Sequence, residues 1–169
     1  VILASSRSGT QGRFSMDAGR VDNFSLLNAR LNAAGFMQLR DIRVRTGNLS
    51  IEGEDSLLQL PADRVMARVV NLAADTGDIR VMGMIDASSG MGGGTVKLFA
   101  GKDLILGSQS RVLARGTSTD NTSAAAYSPG GNIELYARDG TVRFDASALI
   151  DASAGARGDG GQIVFSAPR

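Results

Sequence analysis

The sequence predicts an all-β chain, a right-handed parallel β-helix or solenoid in which each coil contributes about three short strands. Three observations lead to this prediction. The second half of the chain repeats one design, in which an apolar alternation is followed by a Gly-rich break and a short segment that runs into glycine. Each copy holds runs of period two, which is the periodicity of a strand. Glycine supplies 22 of the 169 residues and aromatics 5%, which suits a narrow interior with many corners.

The copies cover residues 69–90, 95–116 and 132–155, and a fourth begins at residues 160–167. The first run of each copy places matching apolar residues at alternate positions. These residues are Val70, Val96, Ile133 and Ile163, then Leu72, Leu98, Leu135 and Phe165, then Ala74, Ala100, Ala137 and Ala167. Because side chains alternate between the two faces of a strand, the matching positions predict one shared interior.

Two further runs complete each copy. Their matching apolar positions are Ile79, Leu104 and Val142, then Val81, Leu106 and Phe144, then Ile85, Val112 and Ile150. Strands of neighbouring coils are predicted to pair in parallel, about 4.8 Å apart, and to bury a continuous apolar column. Crossovers between parallel strands are right-handed in almost all folds, which sets the predicted hand.

The first part of the chain, residues 1–66, is predicted to form less regular coils of the same continuous solenoid. Its short apolar alternations are residues 14–18, 24–35, 36–53 and 55–61. Residues 67–169 are predicted to form the regular coils, with a loop inserted at residues 117–129. Both ends of the sequence are strand-like and uncapped, which indicates a section of a longer chain.

Two details of the first part bear on its corners. Asn48 and Asp78 each follow a Thr-Gly pair, so they are predicted to occupy equivalent corners. Residues 56–66 have some helical character, but Pro61 interrupts them. Strand or irregular structure is therefore predicted there.

The composition narrows the classes of function. With 18 basic and 17 acidic residues the formal net charge is +1, so no nucleic-acid partner is predicted. Histidine and cysteine are absent, which removes Ser-His-Asp and Cys-His nucleophiles and histidine-bearing zinc sites. We expect no cofactor, no metal site and no enzymatic activity. No apolar run has the length of a membrane span.

Two motifs recur in residues 92–116, 130–155 and 160–167. Copies open on a Gly-Gly-x-hydrophobic-x-Leu-x-Ala pattern and close on IDASxG or VLARG. In these motifs the chain resembles the large exoproteins of bacterial two-partner secretion, the filamentous haemagglutinin-like family. The family's N-terminal secretion motifs are not recognised in this sequence, which favours an internal stretch of a shaft.

The resemblance implies a location and partners. It implies a Gram-negative exoprotein that crosses the outer membrane through a dedicated two-partner secretion transporter and is then secreted or displayed on the cell surface. It also implies a structural shaft that mediates adhesion or fibre formation. The partner in adhesion would be a carbohydrate or protein receptor on a host surface or in a matrix.

Two alternative functions stay open. A carbohydrate-active enzyme or binding module on this fold would need three or more converging acids, or acids with Arg or Lys, on one outward face. Asp86 and Asp151 occupy equivalent outward positions about 9.6 Å apart, although aspartate beside serine and glycine ordinarily stabilises a turn. The second alternative is a self-assembling filament subunit, because open coil ends can associate end to end.

Residues that interrupt the repeat are candidates for binding. Arg157, Gly158 and Asp159 form a tripeptide similar to integrin-recognition motifs, in a Gly-rich segment where turn chemistry is the alternative explanation. Tyr127 belongs to the longest insertion, residues 117–129. Insertions in repeat proteins collect on one face, which is often the binding face.

One candidate surface lies on the repeat itself. Phe99 and Tyr136 align on neighbouring coils and would form an exposed aromatic ladder. A sugar ring could stack on such a ladder, and plain packing between strands is the alternative. Lys97 and Glu134 align in the same way and are predicted to form an opposite-charge pair.

Overall fold

The structure is a computed structural model that describes residues 3–6, 9–58, 60–120, 122 and 127–168. Within these residues the chain forms strands and one helix. In chain order they are β1 (Arg13–Ala18), α1 (Phe24–Ala33), β2 (Leu39–Val44), β3 (Leu49–Ile51), β4 (Arg64–Met66), β5 (Val69–Ala74), β6 (Ile79–Val81), β7 (Met84–Asp86), β8 (Thr95–Ala100), β9 (Leu104–Leu106), β10 (Arg111–Leu113), β11 (Asn132–Ala137), β12 (Val142–Phe144), β13 (Leu149–Asp151) and β14 (Gln162–Ser166).

The strands form three sheets, and every pairing within them is parallel. The first sheet has the order β1-β2-β5-β8-β11-β14, the second β3-β6-β9-β12 and the third β4-β7-β10-β13. From β2 onward, the chain visits the first, second and third sheets in that order and then begins again. We call each such passage a repeat. The described part of the chain is therefore all-β apart from α1.

The predicted alignment of the copies is confirmed by the pairing of the strands. In the first sheet Val70 pairs with Val96, Val96 with Ile133, and Ile133 with Ile163. The matching positions of the second and third sheets pair in the same way. Most of these side chains are 0–1% exposed, so the columns form the core. Ala167 follows the last paired residue of β14.

Glycine precedes β8, β11 and β14 of the first sheet, where the backbones of neighbouring repeats approach closely. A Cβ atom on Gly131 would overlap the carbonyl oxygen of Gly94, and one on Gly161 would overlap the carbonyl oxygen of Gly131. Any larger residue would push the repeats apart. The Gly-Gly openings seen in the sequence are thus a packing requirement.

A ladder of hydrogen bonds joins the corners between the first and second sheets. Asn48 Oδ1 accepts from the backbone N–H of Asp78 at 2.9 Å, and Asp78 Oδ1 accepts from that of Asp103 at 3.2 Å. Asp103 Oδ1 then accepts from the backbone N–H of Thr141 at 2.8 Å. The prediction that Asn48 and Asp78 occupy equivalent corners is confirmed. The hydrogen bonds from Thr141 hold the pKa of Asp103 below its usual value.

The strand-like alternation predicted for residues 24–35 is wrong, because Phe24–Ala33 forms α1. Asn23 caps this helix, since its Oδ1 accepts from the N–H of Leu26 at 2.8 Å. Phe24, Asn28 and Leu31 are buried along one face. Their spacing of three or four residues is helical, and over so short a segment it also contains apparent alternation.

The helix lies against β3 and β4, the first strands of the second and third sheets. Asn28 Nδ2 and Asn32 Nδ2 donate to the carbonyl oxygen of Arg64 at 3.0 and 2.8 Å. Arg64 belongs to β4, so these two side chains satisfy a backbone acceptor on an edge strand. The helix thereby caps one end of the stack of repeats.

Arg40 fastens α1 to the first sheet. It pairs with Val70 in register, so it occupies a position in the apolar column, and its side chain is fully buried. It donates to the carbonyl oxygen of Phe36 at 3.0 Å and to Asn28 Oδ1 and Asn32 Oδ1 at 2.5 Å each. Burial lowers the pKa of Arg40 to about 10.

At the opposite end of the stack, the inner positions of the last strands meet solvent. Phe144, Ile163 and Phe165 are 39–49% exposed, whereas their counterparts in earlier repeats are buried. No described strand lies beyond β12 or β14 to cover them. The two ends of the stack therefore differ, because one carries a helix and the other an open apolar edge.

The described residues of 55–61, a segment predicted as an apolar alternation, form an exposed turn. The backbones of Asp55 and Leu60 hydrogen-bond to each other in both directions at 3.0 Å. Leu57 is 93%, Leu58 68% and Leu60 55% exposed, so these leucines add nothing to the core. The described residues of 56–66 contain no helix, as predicted, and β4 occupies their end.

Candidate functional site

Asp86 and Asp151, the acids considered as a catalytic pair, stabilise turns. They align across β7, β10 and β13, with Leu113 between them. Each carboxylate accepts a hydrogen bond of 2.9 Å from the backbone N–H of the serine two residues later. The donor to Asp86 is Ser88, and the donor to Asp151 is Ser153. Aspartate commonly forms this local hydrogen bond at corners. The arrangement has the geometry of a repeated turn.

Phe99 and Tyr136 are neighbours on the outer face of the first sheet, as predicted. Their ring centroids lie 5.0 Å apart with an interplanar angle of 15°. Stacking covers one face of each ring, so the open ring faces point towards Ala73 on one side and Ser166 on the other. A sugar would have to bind at the ends or edges of this pair.

The predicted pair of Lys97 and Glu134 lies beside the aromatic rings. Lys97 Nζ is 3.0 Å from Glu134 Oε1, and Asn132 Nδ2 donates to the same oxygen at 2.6 Å. Both contacts lower the pKa of Glu134, and the hydrogen bond from Lys97 has the larger effect. On this outer face the charge of Lys97 is therefore paired with that of Glu134.

The structure brings together the two segments that interrupt the repeat. The Tyr127 hydroxyl donates to Asp159 Oδ2 at 2.8 Å, and the pKa of Tyr127 is raised by this hydrogen bond. The N–H of Ser128 donates to the carbonyl oxygen of Arg157 at 2.8 Å. A Cβ atom on Gly158 would overlap the carbonyl oxygen of Ser128. The Arg157–Asp159 tripeptide is thus packed against the end of the insertion.

Only part of the 117–129 insertion can be described. Residues 121 and 123–126 lie outside the described residues. At its base, the N–H of Ser118 donates to the buried Ser128 Oγ at 3.3 Å, and the N–H of Ala156 donates to the carbonyl oxygen of Ser118 at 2.8 Å. The two ends of the insertion are therefore joined to each other and to the following loop.

A groove that the sequence did not reveal lies on the third sheet. Its volume is about 1120 Å³. One wall is formed by described residues of the segment 52–63, and we call the described part of this segment the leucine loop. The other wall is the corner containing Ser108 and Gln109. Arg64, Met84 and Arg111 form the floor.

The floor of the groove follows the register of the third sheet. Arg64 pairs with Met84, and Met84 with Arg111, so the three share one outward column. The two arginines are two strand spacings apart, about 9.6 Å along the stack. Among the described residues, neither guanidinium forms an ion pair.

The acidic residues of the groove all belong to the leucine loop. Asp63 Oδ2 accepts from Ser25 Oγ at 2.6 Å and from the backbone N–H of Glu52 at 3.0 Å, which holds the base of the leucine loop to α1. Asp55 Oδ1 accepts from two backbone N–H groups of the turn at 3.0 Å each. Glu52 and Glu54 are exposed, and their carboxylates have no hydrogen-bond or ion-pair partner among the described residues.

Gln109 marks the far rim of the groove. Its φ of 62° is the only positive value among the described residues other than glycine. Glutamine rarely adopts this left-handed conformation, which costs free energy unless the surroundings hold it. The N–H of Gln109 donates to Ser147 Oγ at 3.1 Å, which is one such contact.

One signal in the sequence could have located the groove. The predicted equivalence of residues 48–51 and 78–81 is confirmed by the pairing of β3 with β6. In the next repeat, only Met82 and Gly83 connect β6 to β7. The equivalent connection from β3 to β4 has twelve residues, 52–63. An insertion of that length predicts a protruding loop.

Comparison with known proteins gives no significant match to a family model, to a curated protein or to a solved structure. Two further searches concern the described residues alone. They contain no group of three or more acidic side chains arranged to hold a metal ion. They also contain no helix long and apolar enough to span a membrane.

Proposed function

We propose that the chain is a section of right-handed parallel β-helix that serves as the structural shaft of a bacterial exoprotein of the filamentous haemagglutinin-like, two-partner secretion family. The observation that carries the proposal is the fixed order in which the chain visits three parallel sheets. Stacked repeats of this kind give a long rigid body from short segments. The Gly-Gly openings that carry the family resemblance are also the positions where the stacked backbones touch.

The outer surface supports a passive shaft. Several exposed charges pair with an opposite charge on the next repeat. These pairs are Arg45–Asp17 at 2.8 Å, Arg43–Asp75 at 2.8 Å and Lys97–Glu134 at 3.0 Å. Such exposed pairs add little stability, but they place opposite charges side by side on or just after neighbouring strands.

Adhesion requires a contact surface, and we assign it to the joined loops at Tyr127 and residues 157–159. These loops are exposed and lie beside each other. The partner is a protein or carbohydrate receptor on a host surface or in a matrix. Beads coated with the chain should adhere to receptor-bearing cells, and the Asp159→Ala variant should adhere less. Equal adhesion of the variant would remove these loops from the proposal.

Secretion is tested separately. The natural gene, tagged and expressed in its own Gram-negative host, should place the protein in the medium or on intact cells, where added protease degrades it. Deleting the adjacent transporter gene should retain it inside. Protein found only in the cytoplasm, or a location that does not depend on any outer-membrane transporter, would contradict the assignment.

A carbohydrate-active protein is the second candidate, because one feature of the groove meets the condition set from the sequence. Acids and arginines face each other across one outward groove, which meets the condition set from the sequence. Incubation with a panel of polysaccharides should then release reducing or unsaturated ends, and Glu52→Gln with Glu54→Gln should abolish the release. An inactive wild-type chain would count against an enzyme.

End-to-end assembly is a third candidate, and it would cover the exposed apolar side chains of Phe144, Ile163 and Phe165 at β12 and β14. The other end of the stack carries α1, which lies across the strands that a second copy would have to meet. Filaments seen by electron microscopy of the purified chain would favour assembly, and a monodisperse monomer would oppose it.

A further inference from the structure

The leucine loop exposes apolar side chains that the core does not use. Leu57, Leu58 and Leu60 are among the most exposed large apolar residues that the structure describes. A single exposed leucine is ordinary, but three in one turn form an apolar surface of the kind that marks interaction sites. Met82, 39% exposed, extends this surface into the groove.

The loop is held in place at its base. The backbone N–H of Asp63 donates to the carbonyl oxygen of Glu52, and that of Met84 to the carbonyl oxygen of Asp63, both at 2.8 Å. Gly83 permits this approach, because a Cβ atom there would lie 2.5 Å from both carbonyl oxygens. A groove with such a fixed wall is largely formed before any ligand arrives.

The charges of the groove are unequal. Four carboxylates line it, those of Glu52, Glu54, Asp55 and Asp63, against the two guanidinium groups of the floor, which leaves a net charge of −2. The acids share the loop with the leucines, whereas the arginines lie below. A ligand that follows the loop therefore meets negative charge and apolar surface together.

We propose that the groove and the leucine loop bind an extended peptide segment of a protein partner in which basic side chains alternate with apolar ones. The basic side chains contact the two exposed glutamates of the loop, and the apolar ones pack on Leu57, Leu58 and Leu60. This site lies apart from the loops at residues 127 and 157–159, so it does not depend on the adhesive role proposed for them.

A peptide fits these observations better than a glycan does. The lining residues that the structure describes include no aromatic ring on which a sugar could stack. Two of the four acids are already engaged in holding the loop, through Ser25 and through the turn. The exposed leucines would have no contact to make with a hydroxylated ligand.

The test uses the purified chain and three short fluorescent peptides of equal length, with alternating Lys and Leu, Glu and Leu, or Lys and Ser. Fluorescence anisotropy should show that the Lys-Leu peptide binds at least about tenfold tighter than the other two. Leu57→Ser with Leu58→Ser should weaken this binding about tenfold, and Glu52→Gln with Glu54→Gln should weaken it and reduce its salt dependence. Met91→Ser changes a methionine that is 80% exposed outside the groove and should have no effect.

Since Leu57 and Leu58 are exposed, their variants should keep the thermal unfolding midpoint of the wild type. Several results would overturn the proposal. They are failure of the Lys-Leu peptide to bind, equal binding of the Glu-Leu or Lys-Ser peptide, and unchanged binding after the leucine substitutions. Preferential binding of oligosaccharides or lipid vesicles at the groove would also overturn it, in favour of a glycan or a membrane.

Discussion

The hydroxyl of Tyr127 donates a 2.8 Å hydrogen bond to Asp159, which joins the two segments that interrupt the repeat. The residues are 32 positions apart in sequence, and each belongs to a loop that follows the third strand of a repeat. Neighbouring repeats thus place their irregular segments side by side. These two irregular segments therefore lie together at the corner between the third and first sheets.

This hydrogen bond should be visible in the titration of tyrosine. The chain has two tyrosines, so Tyr136→Phe leaves Tyr127 as the only one. The bond to Asp159 favours the protonated phenol, so its pKa should exceed the usual value of 10.0. The stabilisation is present below pH 10.0 and lost as the pH rises through the raised value. Ultraviolet absorbance should show that Asp159→Asn lowers the pKa of Tyr127, and an unchanged pKa would show that the bond does not form.

A methyl group at the close contact between repeats should destabilise the stack. Gly131→Ala places a Cβ atom against the carbonyl oxygen of Gly94, which cannot move without separating two strands. We expect a loss of about 1–3 kcal/mol in the free energy of unfolding, measured with urea. Gly160→Ala is the matched control, since no atom lies within 4 Å of the added Cβ. Equal effects of the two substitutions would contradict the close packing.

The corner ladder should respond to acid. The bonds from Thr141 lower the pKa of Asp103 below 3.8, so their contribution is present above pH 3.8 and lost as the pH falls through the lowered value. Asp103→Asn keeps an acceptor oxygen without the charge. Its urea midpoint should therefore change less between neutral and acid pH than that of the wild type. Identical acid dependence in the two proteins would exclude this role for the Asp103 charge.

Removal of the buried arginine should detach the helical cap. Arg40→Met leaves Asn28 Oδ1 and Asn32 Oδ1 without their donors, at a cost of about 1–3 kcal/mol for the buried acceptor of Asn28. Urea unfolding should show this loss, and circular dichroism should show less helix. Arg43→Met removes only an exposed ion pair and should leave both measurements nearly unchanged. Retention of the helix in Arg40→Met would refute the fastening role.

From the sequence, the aligned strands and the equivalent corners at Asn48 and Asp78 could be predicted. The columns through Val96, Leu98 and Ala100 were predictable because each strand alternates by itself and its copies align. The helix α1 was not, because its stability depends on Arg40 and on the carbonyl of β4, which are contacts made only after folding.

Two features of the candidate sites, the exposed Leu57 and the contact between Tyr127 and Asp159, could also not be predicted from the sequence. Leu57 has the residue type of a core position, and only the structure reveals that the insertion carries it into solvent. Tyr127 and Asp159 were each singled out for interrupting the repeat, but nothing local to either segment encodes their contact. Tyr127 and Asp159 are close because they lie in equivalent loops of neighbouring repeats.

The central claim is that successive repeats stack in register, and distances along one outer column test it most directly. Ser15, Asp41, Glu134 and Val164 share that column of the first sheet. The chain has no cysteine, so introduced cysteine pairs can be spin-labelled without background. Electron spin resonance should give about 14 Å for positions 41 and 134, about 19 Å for 15 and 134, and about 24 Å for 15 and 164, from a spacing of about 4.8 Å per strand. Distances that do not increase with the number of intervening strands would contradict the stacked architecture.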